Sequence, residues 1–140
     1  MLWTSKSMKK FLVFLIAFSI FGLSKPMFAE SEINELPKCV VVSHCVLREW
    51  PVSDVSTAFN RVEQLIKETP RTKIIEKSNS YIHAEATTRW MHYVDDLEVK
   101  GLPEKNVLQI RSESRVGVGD NGVNKNRVEE LSYRMSTYRE

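Results

Sequence analysis

KIIEKSNSYIHAEATTRWMHYVDDLEVKGLPEKNVLQIRSESRV, residues 73–116, decides the fold. Along most of it apolar residues recur at every second position, the period of strands with one buried face. Lys73–Glu76 reads as a short strand and Lys77–Ser80, with its Ser-Asn-Ser, as a hairpin turn. Tyr81–Ala86 is a second strand that sets Ile82, Ala84 and Ala86 against Tyr81, His83 and Glu85. Trp90–Val99 is a third, Gly101–Lys105 a Pro-containing turn, and Asn106–Val116 a fourth, with Leu108, Ile110, Ser112, Ser114 and Val116 opposing Gln109, Arg111, Glu113 and Arg115. The connections are too short for crossovers, so the four strands form an antiparallel meander.

Upstream, Val55, Ala58, Phe59, Val62, Leu65 and Ile66 have the spacing of one helical face, with Ser53 or Asp54 as N-cap and Pro70 as the stop. Val-rich Cys39–Trp50 reads as one extended segment bent near Ser43. Downstream, Gly117–Gly122 leads into a last helix with apolar positions Val123, Val128, Leu131 and Met135, and Asp120 or Asn121 as cap. The expected fold is α+β: strand, helix, four strands, helix, with a curved antiparallel sheet covered by two helices.

The 140 residues suit one domain, 42% hydrophobic and 27% charged, without long apolar spans, Gly or Pro enrichment or repeats. That excludes a multi-span membrane protein, a collagen, a solenoid and low-complexity disorder. Lys6, Lys9 and Lys10 precede an apolar run, Phe11–Leu23, as in a secretory signal. The expected division is a signal peptide over 1–29, a flexible lead-in over 30–37 and one domain over 38–140. Cleavage after Ala29 competes with cleavage after Ser24, and an uncleaved signal anchor is the alternative. Four of the 20 basic residues precede Glu30, so the rest of the chain carries 16 basic and 18 acidic residues, a net charge of −2. Such a balance gives no global field to attract nucleic acid or an anionic membrane. Outside the cytosol a Cys39–Cys45 disulfide is permitted. The competing reading leaves two thiols about 20 Å apart on one strand face.

Four stretches, YIHAE at 81–85, YVDD at 93–96, RSESRVG at 111–117, and Asp120, Gly122 and Asn124 before the last helix, resemble the family called domain of unknown function 1499. Trp90-Met91 and Ser43–Val46 are similar to its cyanobacterial and chloroplast branch. On the amino side the chain departs from the family's Asn-Cys-Val-Ser-Ser, having Lys38-Cys39-Val40-Val41-Val42 and then His44-Cys45-Val46. The resemblance implies membership and export, to a periplasm or thylakoid lumen. It implies no reaction.

Alternation places His83 and Glu85 on one face, sends Asp95 and Asp96 to opposite faces, and aligns Arg111, Glu113 and Arg115. A resulting array of His, Glu, Asp and two Arg suits a carboxylate or phosphate, because the guanidinium fork binds such anions bidentately. The same residues also read as ion pairs bracing adjacent strands. A second anion reading uses backbone N–H groups at the start of the last helix with Arg115, Asn124 and Arg127. The plainer alternative is a glycine turn capped by Asp120. No P-loop Lys-Ser/Thr follows the glycines, two Cys with three scattered His make a weak zinc set, and Ser112 and Ser114 face the apolar side, away from a triad. Trp50, Trp90, Tyr81 and Tyr93 read as packing residues, although a curved sheet under a helix leaves room for an apolar pocket.

The expected function is therefore a binding module without cofactor or metal, taking a small apolar or amphipathic molecule or a membrane-associated protein complex. The alternative is a hydrolytic or isomerising enzyme with His83 or Glu85 as base and Arg111 and Arg115 as anion holders. Asp96, Asn124 and Arg127 complete the candidate binding set.

Overall fold

The computed structural model describes residues 34–137. The expected signal peptide and the start of the lead-in lie outside the described residues. Strand β1 (Cys45–Pro51) is followed by helix α1 (Val55–Glu68), β2 (Thr72–Lys77), β3 (Tyr81–Thr87), β4 (Val94–Leu102), a 3₁₀ turn (Pro103–Lys105), β5 (Val107–Ser114) and helix α2 (Val123–Thr137). This is the expected α+β order. The first strand joins the meander by pairing with β5, giving one antiparallel sheet in the order β1-β5-β4-β3-β2.

Helix α1 forms where its spacing places it. The Asp54 carboxylate accepts the Thr57 N–H at 2.6 Å, satisfying a donor that the first turn leaves unpaired. All six apolar positions are buried. The helix rests on β4 at Gly101, where a Cβ would stand 3.0 Å from Val55 Cγ1, so a side chain there would push the two elements apart. Glu63 is buried on the same helix, and Lys67 and Lys77 neutralise it, each at 2.6 Å.

Strand register separates two kinds of surface. Val46, Ser112, Leu97, Ala84 and Ile74 form one row across all five strands, facing the helices. Val62, Leu65 and Ile66 of α1 and Val128 and Leu131 of α2 cover that face and close the core over Ile82, Leu97, Val99 and Ile110. Burying each large aliphatic side chain contributes about 1.5–3 kcal/mol. The adjacent row, Cys45, Glu113, Asp96, Glu85 and Lys73, lies on the opposite face, which neither α1 nor α2 covers. Within the lead-in, Leu36 is buried and its N–H donates to Gln109 Oε1 at 2.8 Å.

Three expectations need correction. Cys39–Trp50 is not one extended segment: β1 begins at Cys45, after a turn in which the His44 N–H reaches Val41 O. That turn brings Cys39 and Cys45 to a Cα separation of 5.5 Å, and they form the disulfide. Strand β4 begins at Val94, because Thr88–Tyr93 closes into a loop through Thr88 N–H to Tyr93 O and Tyr93 N–H to Thr88 Oγ1, with His92 at φ 55°. Trp90 is therefore no packing residue; it is 80% exposed. At its other end β4 runs on through Gly101 and Leu102, which the sequence placed in a turn.

Candidate functional site

The open face carries the array expected from alternation. His83 Nε2 lies 2.7 Å from Asp96 Oδ1. Arg115 donates to Asp96 at 2.7 and 3.1 Å and to Glu85 at 2.8 Å. One strand row further on, Arg111 donates to Glu98 at 2.7 Å and also to Glu113, while the Tyr81 hydroxyl donates to Glu98 at 2.8 Å. Burial and the Glu98 carboxylate together push the Tyr81 hydroxyl well above the usual phenol range. Burial alone would raise the Asp96 carboxyl. Hydrogen bonds from Arg115 and His83 outweigh it and hold Asp96 below the ordinary carboxylate value. The array is thus assembled, and its charges answer one another: both guanidinium groups already hold two carboxylates.

Asn124 and Arg127 are not part of it. Both project from α2 onto the helix-covered face, where Arg127 donates to Asp95 Oδ2 at 2.7 Å, to Ser112 Oγ at 2.8 Å and to Asn124 Oδ1 at 2.6 Å. Asn124, 1% exposed, donates from Nδ2 to His44 O, Ser114 Oγ and Asp120 Oδ2. Ser112 and Ser114 do face the helices, but a buried polar cluster meets them there. The α2 N-terminus offers no vacant anion cradle either. Asp120 accepts the N–H groups of Gly122 and Asn124 at 2.9 and 2.8 Å, the capping arrangement. Burial acts to raise the Asp120 carboxyl, and these N–H donors bring it below its ordinary value.

A cleft of about 1090 Å³ opens at the end of the sheet where β1, β2 and β4 begin and β3 and β5 finish. Loops 69–71, 88–93 and 115–121 surround it. Trp90, Met91, Val116 and Val118 form apolar walls, and Asp95, Ser114 and Arg127 lie at the polar base. Of the expected binding residues, the cleft gathers Arg127 alone. Trp90, Met91, Val116 and Val118 were not singled out as a site by sequence. Their signal is that Val116 and Val118 alternate with Gly117 and Gly119 in a loop where no core is available to receive them.

The sequence model of the family described as protein of unknown function (DUF1499) matches residues 31–135. The chain belongs to the DUF1499 family. That match spans the residues of the array, of the buried cluster and of the loops around the cleft. No curated protein matches the chain. Among the described residues of this DUF1499 chain, no helix is long and apolar enough to cross a membrane, and no group of three or more His, Cys, Asp or Glu is placed to hold a metal ion.

Proposed function

We propose that this DUF1499 domain is a binding module for a small amphipathic molecule, held in the cleft at the loop end of the sheet. One observation carries the reading: a cleft of about 1090 Å³ has apolar walls at Trp90, Met91, Val116 and Val118 and a polar base at Ser114 and the Asp95–Arg127 pair. Its size is that of small-molecule sites, which combine apolar walls with a few placed polar groups. The apolar part of the ligand lies against the loops and its polar group meets Ser114 and the Arg127 edge. Catalysis by His83 or Glu85 is less well supported, because each is engaged in the ion-pair array.

The domain works outside the cytosol, in a periplasm, thylakoid lumen or equivalent compartment. The Cys39–Cys45 disulfide supports this, since such bonds persist in oxidising compartments, as does the Lys-then-apolar amino end. In cells of a source organism, thiol alkylation before lysis should leave both cysteines unlabelled; quantitative labelling would place the domain in a reducing compartment.

The ligand reading is tested by titrating the protein with a fluorescent fatty acid such as cis-parinaric acid. Saturable binding is expected, weakened about tenfold or more by Met91→Asp or Val116→Asp. Absence of saturable binding, or equal affinity in both variants, contradicts it.

A further inference from the structure

We infer that the cleft-bearing end of the domain is a docking surface for an anionic lipid bilayer. This goes beyond the ligand reading and does not depend on it, since the surface consists of loop tips, whether or not the cleft holds a molecule.

The two ends of the sheet differ in what their loops expose. Eleven large apolar side chains are exposed among the described residues, and eight belong to three loops at the cleft end, 38–44, 88–93 and 115–122. The most exposed are Val118 at 93%, Val40 at 90%, Val42 at 83% and Trp90 at 80%. Turns at the other end, 52–54, 78–80 and 103–106, contribute none. The three apolar loops are near one another: strand pairing sets Cys45 opposite Glu113 and Asp95 opposite Ser114, and the Ser43 hydroxyl donates to Val118 O at 2.5 Å. A cluster of this kind on one end of a small domain marks an interaction surface.

Charge selects the occupant. With the neighbouring turn 69–71, these loops carry Lys38, Arg71 and Arg89, besides Arg115, which Asp96 and Glu85 neutralise, against a single loop carboxylate, Asp120, which caps α2. The turns at the opposite end carry Asp54, Glu104 and Lys105. Basic side chains around apolar tips suit a surface with an apolar interior and negative headgroups. Trp90 has the aromatic chemistry favoured at the headgroup level, and the Arg89 guanidinium sits 5.1 Å from its ring centroid, where it can meet a phosphate while the indole enters the acyl boundary. On this geometry the cleft opens toward the bilayer.

The test follows Trp90 in the full chain, using the difference in emission between the wild type and Trp90→Phe to isolate this one indole. With vesicles of phosphatidylcholine and phosphatidylglycerol, the Trp90 component should shift to the blue, lose access to aqueous iodide and be quenched by brominated acyl chains. Because the readout is local, attachment through the apolar segment at residues 11–23 cannot produce it alone. Arg71→Glu with Arg89→Glu should reduce the shielded fraction about tenfold, and pure phosphatidylcholine should give little shielding. A Trp90 that stays open to iodide and untouched by brominated lipid on anionic vesicles overturns the inference. Shielding without vesicles that grows with protein concentration, or that requires an added protein, overturns it in favour of a protein contact.

Discussion

Asp95 and Asp96 are neighbours in β4, and each binds an arginine, yet they belong to different parts of the molecule. Asp95, 1% exposed, faces the helices and pairs with Arg127 beneath α2 at 2.7 Å. Asp96 faces the open side, where its side chain is 25% exposed and pairs with Arg115 and His83. The first pair is a buried fastening between sheet and helix at the base of the cleft; the second is a half-solvated tie across strands. The same chemistry therefore has different energetic consequences, because removing one partner strands the other in a dry site in one case and in water in the other.

Breaking the buried pair should have the largest effect. Asp95→Ala leaves Arg127 without its carboxylate and should cost about 3–5 kcal/mol in urea unfolding. Asp95→Leu with Arg127→Met removes both charges and should recover a large part of that loss. Asn124→Ala, beside them, should cost about 1–3 kcal/mol by leaving Ser112, Ser114 and the His44 carbonyl short of partners.

Acid sharpens the contrast from the other side. Asp96 and Asp120 have folded-state pKa values below their ordinary ones, so their contribution is fully present above about pH 4 and is lost as pH falls through the lower folded values. Thermal unfolding followed from pH 6 to pH 2 should show a steepening loss below about pH 4, smaller in Asp96→Asn. The smallest effect belongs to Glu85→Gln on the open face, with a melting temperature within about 4 °C of the wild type. A collapse of the fold in that variant would make the open array as structural as the buried pair.

Much of this was legible in the sequence, for definite reasons. A strand's period of two sends Asp95 and Asp96 apart and brings His83, Glu85, Arg111 and Arg115 together, whatever the surrounding fold. Helix α1 was equally plain, since six apolar positions and the Asp54 cap agree. The rotation of α2 was not legible. Its buried apolar residues are few, Val128 and Leu131, so nothing in the pattern announced that Asn124 and Arg127 would turn to the covered face. Trp90 and Met91 continue the β4 alternation past the point where pairing stops, because alternation carries no signal for where hydrogen bonding ends. The same ambiguity made Cys39–His44 resemble strand when it is a turn closed by the disulfide. The first of those two segments, 88–93, forms one wall of the cleft, so a part of the chain poorly readable by periodicity lines the site proposed for the ligand.

The most direct measurement is a two-dimensional ¹H–¹⁵N NMR titration of the isotopically labelled protein with a short-chain zwitterionic amphiphile kept below its micelle-forming concentration. Residues 88–93 and 115–121 should shift progressively and saturate, while His83, Glu85, Glu98 and Arg111 hold their positions. Shifts centred on the open-face array, with the loops unmoved, would contradict the placement of the binding site in the cleft.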